Sequence, residues 1–273
     1  VTRAGCLAIA GAIVALAAVS CSPYPPSQGS SSKPALPSPG SIWHPIPRTT
    51  WQWQLTTPVD QSVRAEVFDV DLFDNSAEVI SQLHAKGAKV VCYIDAGAWE
   101  PHRPDADKFP SSVLGKGYGG AFADERWLDV RNPALRPILQ AHLDLCRTKG
   151  FDGVEFDNDD GYGGDTGFPI SGTDQLTFDR WLADQAHQRG LAAGLKNDLG
   201  QVGDLVGDFD FQVVEECFEH GECKALATFV KAGKAVFEAE YNLPTAQFCP
   251  QARAMGISAM RKKLSLDGSR EAC

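Results

Sequence analysis

The sequence predicts a (β/α)8 barrel, and three observations lead to it. A phrase recurs along the chain: an amphipathic helix, a glycine, then an apolar strand. Helices that alternate with strands pair those strands in parallel through βα units. Nearly every strand pattern also ends in an ionisable residue, which is where a barrel keeps its chemistry. The third observation is length. Of 273 residues, the stretch from Arg48 to Cys273 fits one barrel of roughly 250 residues and not two domains. An open doubly wound sheet is the competing architecture, and it should carry a nucleotide signature.

The elements follow in order. Trp51–Leu55 is the first strand candidate and Val67–Asp71 the second. No helical pattern joins them, so one βα unit is degenerate. Asn75 to Lys86 is a helix capped at Asn75, with Glu78 at the capping-box position and Val79, Ile80 and Leu83 on one face. Gly87 ends it and Lys89–Asp95 follows as a strand. Trp127–Val130 is the fourth strand candidate. Asn132 caps the next helix with Pro133 at its first position, and Ile138, Leu139, Leu143 and Cys146 form its stripe. Gly150 ends it before the strand Asp152–Asp157. Thr173 begins a third helix that ends at Gly190, ahead of Leu191–Asn197. Phe209–Glu215 is the next strand. Helices ending at Gly233 and Gly256 precede the strands Ala235–Tyr241 and Ile257–Lys263. Each glycine stands where a helix needs a left-handed C-terminal residue. The tally is nine strand candidates for a fold of eight, so one is an extra strand.

Residues 1–21 read as a secretory signal: a basic start, the apolar run Cys6–Val19, and a small residue at the cut. The run is too short to span a bilayer. Ala18-Val19-Ser20-Cys21 resembles a lipobox, so Cys21 is expected to carry lipid. Residues 22–47 are rich in Pro and Ser and read as a tether. The folded domain is expected at 48–273, outside the cytoplasm, touching a membrane only through that anchor. Apart from Cys6 and Cys21, the cysteines are Cys92, Cys146, Cys217, Cys223, Cys249 and Cys273. An even set in an exported protein suggests disulfides. Cys217–Cys223 flanks a short polar loop and is the expected local pair, with Cys249–Cys273 the second. Cys92 reads as a buried strand residue. No Cys/His spacing supports zinc, and no cofactor or metal is expected.

The formal net charge is −10. It argues against nucleic acid, which needs a basic surface, and suits a cationic ligand. Gly115-Lys116-Gly117-Tyr118-Gly119-Gly120 has the spacing of a phosphate loop, but it follows no strand and precedes no helix, so it reads as a flexible loop. Glu155, Asp157 and Asp159 suggest a calcium loop, yet Asp160 occupies the position that requires glycine.

The chemistry centres on Phe151 to Gly164, FDGVEFDNDDGYGG. Along this strand Gly153, Glu155 and Asp157 point one way, and Val154 and Phe156 the other. A face carrying two carboxylates must open on water or a polar partner. At the other strand ends stand Asp71, Tyr93 with Asp95, Asp129, Lys196 with Asn197, Glu215 with Glu216, and Glu240 with Tyr241. Glu100 and Arg103 follow the third strand. Two readings stand for Lys196 and Arg103: counter-ions to buried acids, or contacts to substrate. Trp53, Trp99 and Trp127 are either core or platforms for sugar rings. Asp157 and Glu215 lie on different strands and are expected to face each other over the barrel mouth. Two such carboxylates can cleave a glycosidic bond, one protonated and one ionised. The histidines form no pair with a serine nucleophile.

These residues resemble a known family. Trp51-Gln52-Trp53-Gln54-Leu55, Asp71-Leu72-Phe73-Asp74, Arg103-Pro104-Asp105, Glu125-Arg126-Trp127-Leu128-Asp129, Asp152-Gly153-Val154-Glu155, Gly194-Leu195-Lys196-Asn197 and Glu240-Tyr241 are similar, in this order, to glycoside hydrolase family 114, the endo-α-1,4-polygalactosaminidases. The resemblance implies a (β/α)8 barrel, hydrolysis of an α-1,4-linked galactosamine polymer, and catalysis by Asp157 and Glu215. It also implies retention, with Asp157 as nucleophile and Glu215 as acid/base. Lys196 beside Asp157 would favour its ionised form, and Glu216 beside Glu215 could raise its proton affinity. Asp71, Tyr93, Asp95, Glu100, Arg103, Trp127, Lys196, Asn197, Glu240 and Tyr241 are the expected substrate-binding residues. Asp95 stands where relatives often carry Ser. The expected partner is a cationic amino-sugar polysaccharide, bound by a monomer. The alternatives are a non-catalytic carbohydrate-binding lipoprotein and a glycosidase for another amino-sugar polymer.

Overall fold

The computed structural model describes residues 42–120 and 122–273. The expected signal segment, Cys21 and most of the 22–47 tether lie outside the described residues. Among the described residues, eight parallel strands form one curled sheet: Trp51–Gln54 (β1), Val67–Asp71 (β2), Lys89–Asp95 (β3), Gly153–Asp157 (β7), Ala192–Lys196 (β8), Phe211–Glu215 (β9), Ala235–Glu240 (β10) and Ser258–Arg261 (β11). Glu271–Ala272 (β12) adds antiparallel to β11. A second, antiparallel sheet is inserted after β3. It consists of Ala98–Trp99 (β4), Leu114–Gly119 (β5) and Phe122–Leu128 (β6), in the order β4-β6-β5.

Eight of the nine strand candidates are therefore barrel strands. The exception is Trp127–Val130. Its first residues belong to β6, which pairs with β4 and β5 and not with the barrel. The β1–β2 link carries no helix, as the sequence predicts. The longest helices are Ala77–Ala85 (α1), Leu135–Lys149 (α2), Gly172–Gln188 (α3) and, after the short Val202–Leu205 (α4), Cys217–His220 (α5) and Ala227–Lys231 (α6), Thr245–Met255 (α7). Helix starts differ slightly from expectation. Ser76 caps α1 by accepting from Val79 N, whereas Asn75 turns back to Asp71 O. Ser171 and Asp174 close a capping box on α3. Gly87, Gly150, Gly190, Gly233 and Gly256 all have left-handed φ values, between 71 and 94°.

Alternation on the strands sorts the core. Val154 and Phe156 of β7 face the helices, in one cluster with Leu139, Leu143, Phe178 and Leu182. The barrel interior holds Trp51, Trp53, Phe211 and Phe237. Trp51 lies 5.1 Å from Phe237 and Phe211 lies 5.8 Å from Phe237, centroid to centroid. Gly194 makes room for this packing: a Cβ there would sit 2.3 Å from the Phe211 ring. Ordered contacts begin ahead of Arg48, in the stretch expected as tether. Trp43 packs on Phe211, Pro45 O accepts from Ala235 N, and His44 pairs with Asp210.

The seam between β11 and β1 has no backbone ladder among the described residues. Trp51 Nε1 donates to Ser258 O at 2.7 Å, Leu55 N to Leu266 O at 3.0 Å, and Gln52 Nε2 to Gly268 O at 2.9 Å. Arg270 donates to Trp51 O and Arg64 O. Disulfides join Cys217–Cys223 and Cys249–Cys273, the expected pairs. A third joins Cys92 of β3 to Cys146 of α2. Cys92 is thus buried as expected, and bonded as well.

Candidate active site

Three adjacent strands build the site. Asp157 ends β7, Lys196 ends β8 and Glu215 ends β9. Strand alternation sends all three to the interior at the carboxyl rim. Lys196 Nζ lies 2.7 Å from Asp157 Oδ1 and 2.6 Å from Glu215 Oε2. The two acids therefore stand on next-but-one strands and share one ammonium, rather than facing each other across the full mouth. Those two oxygens are no farther apart than the two contacts end to end, about 5.3 Å, which is the close approach that a retaining pair needs.

The surroundings set the charges. Burial alone would raise the Asp157 pKa. Lys196, the Tyr93 hydroxyl at 2.6 Å and Asn158 N at 2.9 Å outweigh it and lower the pKa. Burial would strip the proton from Lys196, but Asp157, Glu215 and Glu155 hold it well above the usual lysine range. Glu215 Oε1 accepts the Tyr241 hydroxyl, and Glu215 N donates to Asn197 Oδ1 at 3.0 Å. Burial and these carboxylates keep both tyrosines protonated, hence as donors. Glu216 accepts from Asn242 Nδ2 at 3.2 Å, and burial, with Glu219 and Glu215 nearby, raises its pKa. The pair opens on a cleft of about 270 Å³.

The chain matches the model of Glycoside-hydrolase family GH114 over residues 32–273. It belongs to family GH114. Its fold superimposes on Aspergillus fumigatus Ega3, crystallised in complex with galactosamine, with a TM-score of 0.81 and 36% identity over 85% of this chain and 97% of that one. The glycoside hydrolase domain of PelA from Pseudomonas aeruginosa shares the fold at 14% identity, with a TM-score of 0.63 over 81% of this chain and 96% of that one. An α-galactosidase from Thermus thermophilus shares it at 15% identity and a TM-score of 0.55, over 83% and 60%. No curated protein matches. The GH114 chain is a glycoside hydrolase on a (β/α)8 barrel.

The other expected site residues do not all line the cleft. Tyr93, Lys196, Asn197 and Tyr241 line the cleft with the acid pair. Asp71, Glu100 and Arg103 form a network beside it, with Arg103 at 2.6 Å from both acids. The remaining oxygen of Asp71 accepts from Phe73 N and Asp74 N. Glu240 is fully buried and accepts from Phe218 N and Glu219 N, so it anchors α5 instead of lining the cleft. Trp127 stacks beneath Tyr118 and packs against Gly161 and Gly164. Trp53 does line the cleft, 5.3 Å under the Lys196 ammonium. Cys217, Glu238 and Glu240 cluster as metal ligands would, but the Cys217 sulfur is tied to Cys223 and offers no thiolate.

Asp95 organises a loop. Its Oδ1 accepts from Gly97 N and Ala98 N, its Oδ2 from Asn158 Nδ2. Ala96 N and Gly97 N in turn donate to Asp157 O. A Cβ on Gly97 would lie 1.7 Å from Asn158 O. Gly97→Ala is expected to cost roughly 2–4 kcal/mol of stability and to displace Asp157. Urea unfolding and hydrolysis rates check it; native stability with native activity would refute it.

Walls absent from the expected set come from distant segments. Tyr118, Phe122 and Glu125 reach the cleft from β5 and β6, and Leu264 and Leu266 from the segment after β11. The Gly-rich stretch 115–120 concealed the first group, because few of its residues favour strands.

Below Lys196, the interior holds Asp69 and Glu155, 1% and 0% exposed. Both Glu155 oxygens and one Asp69 oxygen lack a hydrogen-bond partner among the described residues, so burial favours the protonated forms. Burial raises Asp69 to about 7 and Glu155 well above its usual range. The folded state therefore binds more protons than the unfolded one. This stability is full below the unfolded carboxylate pKa, about 4, and is lost as pH rises through 7. Glu155→Gln should flatten the fall in urea midpoint between about pH 5 and 8. Parallel profiles for both proteins would rule out this pair as the source.

Proposed function

We propose that this GH114 chain is an endo-acting hydrolase of α-1,4-linked galactosamine polymer, working with retention. The observation that carries it is the single Lys196 ammonium held between Asp157 and Glu215. It supports an ionised Asp157 close to a second carboxyl. Asp157 attacks the anomeric carbon as Glu215, the general acid, gives a proton to the departing glycosidic oxygen. Glu215 then takes a proton from water, which releases the sugar from Asp157 and restores the acid. Tyr93 and Asn158 hold the nucleophile's lone pairs in place. Acidic cleft residues, Asp157, Asp160, Glu125 and Glu215, suit a polymer of ammonium sugars. The galactosamine bound to Ega3 supports the same substrate class.

The reading includes a site of action outside the cytoplasm, as a monomer, with lipid on Cys21. The disulfides support export. No helix of the described residues is long and apolar enough to cross a membrane. Purified protein should release new reducing ends from deacetylated galactosamine polymer, as a spread of oligomers whose first-formed anomer is α by NMR. Binding without new reducing ends would favour a carbohydrate-binding protein. Equal or faster cleavage of another amino-sugar polymer would reassign the substrate.

A further inference from the structure

The β5–β6 hairpin takes no part in the steps above, yet it is built into the cleft. Its glycines serve the backbone. Gly119 and Gly120 turn the chain with φ of 92 and 59°. A Cβ on Gly115 would come within 2.2 Å of Thr166 O, so that glycine lets the hairpin lie against the 166 segment. What the hairpin presents is costly to leave in water. Tyr118 and Phe122 are 37% and 44% exposed, and both line the cavity that holds Asp157 and Glu215.

Tyr118 is braced. Its ring stacks on Trp127 with centroids 4.7 Å apart and 28° between planes, and meets Phe122 edge-on at 6.2 Å. Trp127 thus braces the Tyr118 ring where it lines the cleft. The carbon face of a pyranose suits such a ring, and an ammonium is drawn to it as well.

Glu125 stands on β6 in the same cavity, half-buried. Burial and the like charges of Glu100, Asp157 and Asp124 raise its pKa to about 7, and Arg103 opposes this only weakly. A carboxylate placed among carboxylates is a site that a cation would relieve.

We propose that the hairpin is the selectivity element of the cleft: Tyr118 supports a sugar ring next to the scissile bond, and Glu125 pairs with that sugar's free ammonium. This rests on the galactosamine reading. It assigns the preference for deacetylated sugar to Glu125, because an acetamide carries no charge to offer it.

The test compares the wild type, Glu125→Gln, Tyr118→Ala and Tyr118→Phe on deacetylated galactosamine polymer and on its N-acetylated form. Glu125→Gln should raise KM on the deacetylated polymer about tenfold, with a smaller change in kcat, and leave KM on the acetylated form unaltered. Tyr118→Ala should raise KM on both polymers, and Tyr118→Phe should restore it. Calorimetric titration with galactosamine oligomers in an Asp157→Asn background should show the same tenfold loss for Glu125→Gln without turnover. An unchanged ratio of KM between the two polymers in Glu125→Gln overturns the proposal while the galactosamine reading stands. A wild type inactive on deacetylated polymer overturns both.

Discussion

Asp157→Asn is expected to lower kcat by about 10⁴-fold or more, the scale seen when a covalent nucleophile is removed. The fold should survive, because the asparagine oxygen can still accept from Asn158 N and Lys196 Nζ while its amide donates to the Tyr93 hydroxyl oxygen. Glu215→Gln should lower kcat by about 10²–10⁴-fold on polymer, the span of lost general-acid assistance. The loss should shrink on a substrate whose leaving group needs no proton. Azide separates the roles. Added to the Asp157 variant, it should give a glycosyl azide of opposite anomeric configuration to the substrate. Added to the Glu215 variant, it should give one of the same configuration. Near-native hydrolysis by either variant would sink the pair, and exchanged azide products would swap the roles.

Lys196→Met is expected to lower kcat/KM by about 10²–10³-fold, as when one preorganised charge-stabilising group is lost. The ammonium is the main influence that keeps Asp157 ionised against its burial. Without it, two carboxylates face each other uncompensated, and one must take a proton. The pKa of Asp157 then moves upward, so the acid limb of the pH–rate profile should shift to higher pH. Lys196→Arg keeps the charge and should recover part of the rate and most of the profile. A rate loss with the acid limb unmoved would mean that Lys196 only fills space.

The ionisable strand ends made the site visible in the sequence, because a carboxylate on an inward strand position has few reasons to exist. Asp157, Lys196 and Glu215 occupy adjacent strands, and order along the chain already placed them so. Which strand-end acids look outward was not legible. Glu240 ends β10 just as Glu215 ends β9, yet it is spent on the amides that start α5. Only tertiary packing distinguishes the two. Trp127–Val130 ended in Asp129 like a barrel strand. Its partner, however, is the glycine-rich β5, whose pairing depends on a distant contact and not on local pattern. Cys92 and Cys146 are 54 residues apart, and nothing local announces their bond.

The barrel's seam has a consequence for how the molecule forms. Its first strand is held to its last through Leu266, Gly268 and Arg270, a clasp made by the far end of the chain. The contacts span more than 200 residues, so closing them carries a large loop entropy. Until residues 266–270 are in place, the described contacts across this seam are reduced to the Trp51–Ser258 bond. Through that interval the edges of β1 and β11 are unpaired and able to join a neighbouring chain. A chain whose 266–270 segment is not yet docked is thus the form most able to join a neighbour by its sheet edges.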